Sequence, residues 1–156
     1  MSLRELSHWL AVIATVAWVG GMWVVGYLAV PVLFQSLPDR QLAGMLAGQM
    51  FTWMAFLGMA CGAYLLMYQA HPVQRAVANK HKTVIVTLML LLLGVGQFLI
   101  QPVMADLKFQ ALPAEVMQSP FAGQFKMLHG AASILYLLQS LLGIALLVVS
   151  FPKKNI

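Results

Sequence analysis

Four apolar stretches, Trp9 to Phe34, Met50 to Ala70, Thr83 to Met104 and Leu128 to Phe151, are almost free of charge. Each reaches the roughly 20 residues needed to cross a hydrocarbon core about 30 Å thick. In lipid the backbone must satisfy its own hydrogen bonds, so each stretch is expected to be a helix. Hydrophobic residues make up 62% of the chain and charged ones 8%, a balance that excludes an ordinary water-soluble domain. The fold expected is all-α: a four-helix transmembrane bundle forming one integral membrane domain over 1–156. Its helices should lie near 6–34, 38–70, 82–104 and 120–151, joined by two outward hairpins.

Charge sets the orientation. Short cytoplasmic loops carry the Lys and Arg excess. Arg4, Arg75, Lys80, Lys82, Lys153 and Lys154 fall on one side of the expected bundle, and Arg40, Lys108 and Lys126 on the other beside Asp39, Asp106 and Glu115. Both termini are therefore expected in the cytoplasm. The first apolar run is longer than the roughly 7–15 residues of a signal core, so it is expected to remain as a helix. The net charge of +5 is scattered over connections and not arranged as a basic, aromatic-interleaved stripe, which excludes nucleic acid as a partner. The partner expected for most of the surface is the lipid bilayer. Cys61 is the single cysteine, so no internal disulfide can form.

Local signals mark the connections. Ser36-Leu37-Pro38-Asp39 reads as a turn with Pro38 in the first turn of helix two, and Ser119-Pro120 repeats that logic before helix four. Pro72 ends helix two. Gly44 and Gly48, then Gly58 and Gly62, form small-xxx-small spacings that let another backbone approach. They serve either packing inside the bundle or a homo-oligomer or scaffold face for another membrane protein. Trp9 and Trp53 fit interfacial belts. The two hairpins also resemble each other weakly, Pro31-Val32, Leu37-Pro38 and Ala47-Gly48-Gln49 matching Pro102-Val103, Leu112-Pro113 and Ala122-Gly123-Gln124.

Polar groups inside spans are functional hypotheses by default. Gln49, Gln97, Gln101 and His129 all fall in the outer half, and His129, Ser133, Tyr136 and Ser140 recur on one helix face that should point inward. Together they suggest an outward-facing polar pocket, with His129 as its titratable member; interhelical hydrogen bonding is the plainer alternative. Met50 and Met54 with His129 offer soft ligands for copper, although methionine also fills apolar interiors. His8 offers a haem ligand at the opposite face of the bilayer from His129. No catalytic triad, paired carboxylates, zinc-protease motif or phosphate loop is present, so an enzyme is the minority reading.

Pro31-Val32-Leu33-Phe34, Ala43-Gly44, Ala47-Gly48 before Phe51, Gln101-Pro102 and Phe125 before His129 are similar to bacterial members of the transmembrane-protein-205-like group, domain of unknown function 4149. That resemblance spans nearly the whole chain and implies a four-helix protein of the bacterial inner membrane without an established activity. Its eukaryotic relatives are associated with platinum-drug tolerance and vesicle traffic. The opening helix, with His8, Trp18, Gly20-Gly21 and Pro31, also resembles copper-resistance D proteins and four-helix protoporphyrinogen oxidases. This second resemblance implies His8 as a haem ligand, but the later histidine and lysine signatures of the oxidase are not evident. The function expected is binding or passing a small ligand or metal ion at the outer pocket. A haem-binding redox protein and a membrane scaffold are the two alternatives.

Overall fold

The computed structural model describes residues 2–71 and 79–150. Pro72, Arg75, Lys153 and Lys154 lie outside the described residues. Four helices are long and apolar enough to cross a membrane: α1 (Leu3–Ser36), α2 (Arg40–Ala70), α3 (Lys80–Ala111) and α4 (Ala122–Ser150). Among the described residues there is no strand. The all-α, four-span reading therefore holds.

Each start has a local chemical cause. Ser2 and Glu5 form a reciprocal capping box at α1. Asp39 accepts from the amides of Gln41 and Leu42 at α2, and Asn79 accepts from the amide of His81 at α3. Pro38 precedes the cap instead of sitting in the first turn, because the Asp39 side chain takes the orphan amides. The helices run beyond their expected ends, from 3 to 36 in α1 and from 80 to 111 in α3. In α3 the extension carries Asp106 and Lys108 on its last turns, where polar side chains do not oppose helix continuation once outside hydrocarbon. Ser119 Oγ accepts from the Phe121 amide, and α4 starts at Ala122.

The helices form a ring in chain order, α1 on α2, α2 on α3, α3 on α4, with the α1–α4 seam the most sparsely packed. Its core is Trp18, Val19, Met22, Leu65, Val86, Met89 and Leu146, all essentially inaccessible. A Cβ at Gly58 would stand 2.5 Å from Trp18 Nε1 and 2.8 Å from Leu93 Cδ1; one at Gly62 would stand 2.6 Å from Leu90 Cδ2. These two glycines admit the Trp18 ring between α1, α2 and α3. Gly44 only reaches van der Waals range of Lys108 and Phe34, and nothing comes within 4 Å of Gly48.

Outside the ring, Leu99, Met67, Val148 and Trp53 are exposed, the last at 75%. Surfaces of this kind suit a hydrocarbon solvent. The neighbour of Trp53, Met54, packs on Gly21, near the middle of α1.

α1 and α3 each carry one wide turn. A π-turn occupies Val25–Ala29 in α1 and Val95–Ile100 in α3, and in each a proline, Pro31 or Pro102, stands two residues past its end. A proline inside a helix lacks an amide and its ring collides with the carbonyl four residues back. Widening the preceding turn removes that collision. Pro31 and Pro102, which the weak hairpin repeat pairs, thus sit in the same backbone device.

Candidate functional site

In α1 the Val30 amide donates to the Val25 carbonyl, five residues back, and Pro31 has no amide. The Gly26 carbonyl is left without its helical donors. In α3 the Gln101 amide donates to Gly96, again five residues back, and Pro102 donates nothing, so the Gln97 carbonyl is left in the same state. Irregular backbone at membrane depth persists only where protein or a polar cavity answers it.

At α1 Tyr136 of α4 packs into the widened turn. Its hydroxyl donates to the Met22 carbonyl, one turn before Gly26, so the phenol is inserted at the start of the π-turn. Gly26 is required there, because a Cβ would collide with the Tyr136 ring. The ring is held edge-on by Phe51 at 5.2 Å and Tyr27 at 6.1 Å. Tyr27 donates to Ser140 Oγ at 2.9 Å, and Ser140 donates to the Tyr136 carbonyl at 2.9 Å. Tyr136 and Ser140 thus stitch α4 to α1.

Beyond the π-turn the last part of α1, Val30–Ser36, packs on α2, whereas Leu3–Val24 touches both α2 and α4. The α1–α4 seam consequently opens toward the end that carries the hairpins. This divides the helix face expected to point inward: Tyr136 and Ser140 are inside, but His129 and Ser133 are exposed at the opening. Ser133 donates to the His129 carbonyl, and the His129 ring stacks on Phe125 at 6.0 Å. Lys108 Nζ lies 5.6 Å over the other participant, Phe125, and donates to the Gly44 carbonyl at 3.1 Å. One cation therefore ties α3 to α2 and α4 beside His129.

The remaining expected residues separate. Gln49 is exposed on α2, one turn before Trp53. Gln97 and Gln101 are half-buried on or beside the α3 π-turn, and neither side chain makes a hydrogen bond among the described residues. Met54 is buried on Gly21 while His129 is exposed on Phe125, so no contact joins the thioether to the imidazole. Among the described residues no three His, Cys, Asp or Glu side chains come together as a metal site. Metal binding therefore has no support in this structure. His8, at the far end, shares a 3.3 Å hydrogen bond with the Tyr68 hydroxyl, next to the Tyr64 bond to the Ser7 carbonyl.

Reading the sequence missed Tyr27, Lys108 and Gln139. Gln139 is the most telling of the three. Among the described residues four polar side chains are buried, Thr15, Gln69, Gln139 and Ser140. Thr15 donates to the Ala11 carbonyl, Gln69 bonds Leu65 and Thr83, and Ser140 bonds Tyr27 and Tyr136. Gln139, 6% exposed, has no hydrogen-bond partner among the described residues. Its neighbour Ser140 drew attention through helical spacing, and the same spacing placed Gln139 off that face. A shallow open concavity lined by Pro38, Asp39, Arg40, Gln41 and Glu115 lies at the hairpin connections, away from all of these groups.

A family model described as Domain of unknown function (DUF4149) matches residues 13–113. The matched span contains both π-turns and their prolines but ends before α4. No curated protein and no solved structure matches the chain.

Proposed function

We propose that this chain, which belongs to the DUF4149 family, takes up a small ligand in the hairpin-end half of its membrane bundle. By the charge bias this half faces away from the cytoplasm. His129 and Ser133 form the rim where α1 and α4 part, Tyr136 with Tyr27 and Ser140 forms the floor, and Gln97, Gln101 and Gln139 supply free amides.

The observation that carries this reading is the opening of the α1–α4 seam at the hairpin end, where the amides of Gln97, Gln101 and Gln139 make no hydrogen bond among the described residues and yet remain accessible, because no buried side-chain polar atom there is left without a partner. Such amides are open to a hydrogen-bonding ligand. The end carrying the chain termini lacks such groups: Thr15 and Gln69 there are both satisfied.

Native mass spectrometry of the full chain, released directly from membranes, tests the proposal. The expected result is an adduct of a small molecule that is lost in Gln139→Leu and weakened in His129→Ala. A bare mass for the wild-type chain, or an adduct indifferent to both substitutions, overturns it.

A further inference from the structure

Of the three cations at the hairpin end, Arg40 and Lys126 are exposed, whereas Lys108 is half-buried. Its ammonium stands where the helices meet. A Cβ at Gly44 of α2 would lie 3.9 Å from Lys108 Nζ and 4.0 Å from Phe34 Cζ of α1, so the missing side chain leaves a notch with the cation on one side and an aromatic ring on the other. Phe125 of α4 lies 5.6 Å from the same Nζ. Phe34 and Phe125 belong to the two helices that part at this end, which places Lys108 at the mouth of the α1–α4 opening.

An ammonium has three N–H donors and a full charge. One donor goes to the Gly44 carbonyl at 3.1 Å, and among the described residues the other two have no acceptor and no carboxylate pairs with the charge. The acidic side chains of this end are engaged elsewhere. Asp39 caps α2, Asp106 accepts from Gln110 Nε2 at 2.7 Å, and Glu115 accepts from Gln118 Nε2 at 3.3 Å. A lysine that merely snorkels extends its head into water. Lys108 is instead held against a backbone carbonyl between helices, and a charge drawn from water without an opposite charge is costly. An anion relieves that cost.

The surroundings decide which anion. Lys108 follows buried Met104 and Leu107 at the end of the apolar run of α3, the depth of lipid headgroups. Phe34 and Phe109 beside it are exposed and apolar. A cation without a counter-charge next to exposed apolar rings is complementary to a molecule that is anionic at one end and hydrocarbon at the other. We infer that the Gly44 notch is a site for one anionic phospholipid, with its phosphodiester on the Lys108 ammonium and an acyl chain against Phe34. The phosphodiester oxygens accept the two remaining donors, as charge-assisted hydrogen bonds. A zwitterionic lipid brings its own cation to the same place, so a net anionic headgroup is favoured. This site is separate from the small-ligand seat of the preceding reading.

The test uses the full chain in nanodiscs in which phosphatidylglycerol replaces phosphatidylcholine stepwise, with the lipid retained by each chain counted by native mass spectrometry. The wild-type chain should saturate at one phosphatidylglycerol. Lys108→Met should need at least fivefold more of it, the factor that the loss of one charge contact near a membrane surface implies. Lys108→Arg should retain the lipid, Lys126→Met, which removes an exposed charge from the same end, should change retention less than twofold, and Gln139→Leu should leave it unchanged. Equal retention by the wild type and Lys108→Met overturns the proposal, as does a loss in Lys126→Met or Lys108→Arg as large as that in Lys108→Met. Equal retention of phosphatidylcholine, or full displacement of the lipid by millimolar inorganic phosphate, also overturns it. None of these outcomes bears on a small-molecule adduct that depends on Gln139.

Discussion

Replacing Gly26 by alanine isolates the contact on which the α1–α4 seam depends. A Cβ at that position would collide with Tyr136 Cε1, the nearest atom, and stand 2.8 Å from Cζ and Oη. Ordinary contact begins at about 3.4 Å, so the ring must retreat by about 1 Å. It cannot do so freely, since Phe51 and Tyr27 flank it and its hydroxyl is committed to Met22. Overpacking of this kind costs about 1–3 kcal/mol. A weakened interhelical hydrogen bond adds about 0.6–1.7 kcal/mol. Alanine returns up to about 1 kcal/mol through its helix propensity. The net destabilisation expected for Gly26→Ala is about 1–4 kcal/mol, read as a shift in the unfolding midpoint during titration of mixed micelles with sodium dodecyl sulfate. In a Tyr136→Ala background the obstacle is gone, and the same substitution should be neutral or stabilising. An equal cost in both backgrounds refutes the reasoning, because Gly26 would then be needed for its backbone and not for the phenol.

The other glycines give a graded comparison. Gly58→Ala should cost about 1–3 kcal/mol against Trp18 and Leu93, whereas Gly48→Ala should be neutral or gain up to about 1 kcal/mol, both measured by the same titration. Lys108→Met removes the bond to the Gly44 carbonyl and the charge over Phe125, and should cost about 1–2 kcal/mol, with faster amide hydrogen exchange confined to the hairpin end of α2 and α4. Reporter domains fused to the two ends should both register in the cytoplasm; opposite locations would remove the outward assignment of the hairpins.

Span number and helical class were legible because they depend on summed hydrophobicity, which twenty consecutive residues report redundantly. Helix ends were less so. Lys108 and Asp106 mark the end of the apolar run of α3, but a helix continues through polar residues once it leaves hydrocarbon. Pro31 and Pro102 were visible as helix-perturbing residues, yet whether a proline yields a kink, an end or a π-turn is decided by what packs at the turn before it, and Tyr136 lies 110 positions away from Gly26. Helical spacing correctly grouped Tyr136 with Ser140. It could not report that α1 leaves α4 above the π-turn, which exposes His129 and Ser133. Gln139 was hidden for a related reason: spacing gives a direction on one helix, and only the neighbouring helices show which directions lack partners.

Uptake and passage differ physically in this bundle. Toward the chain termini, Trp18, Leu65, Val86, Met89 and Leu146 close the interior completely, and a polar molecule entering from the hairpin end would meet only apolar side chains ahead of it. Passage therefore requires two helices to part, and the sparsest seam, α1 against α4, is where parting breaks the fewest apolar contacts. That seam is also where two hydrogen bonds, Tyr136 to Met22 and Tyr27 to Ser140, cross between the helices. At about 0.6–1.7 kcal/mol each, they bias the seam shut by an amount that one well-placed ligand hydroxyl could offset. A molecule able to compete with the Tyr136 phenol for the Met22 carbonyl would act on the latch as well as on the site.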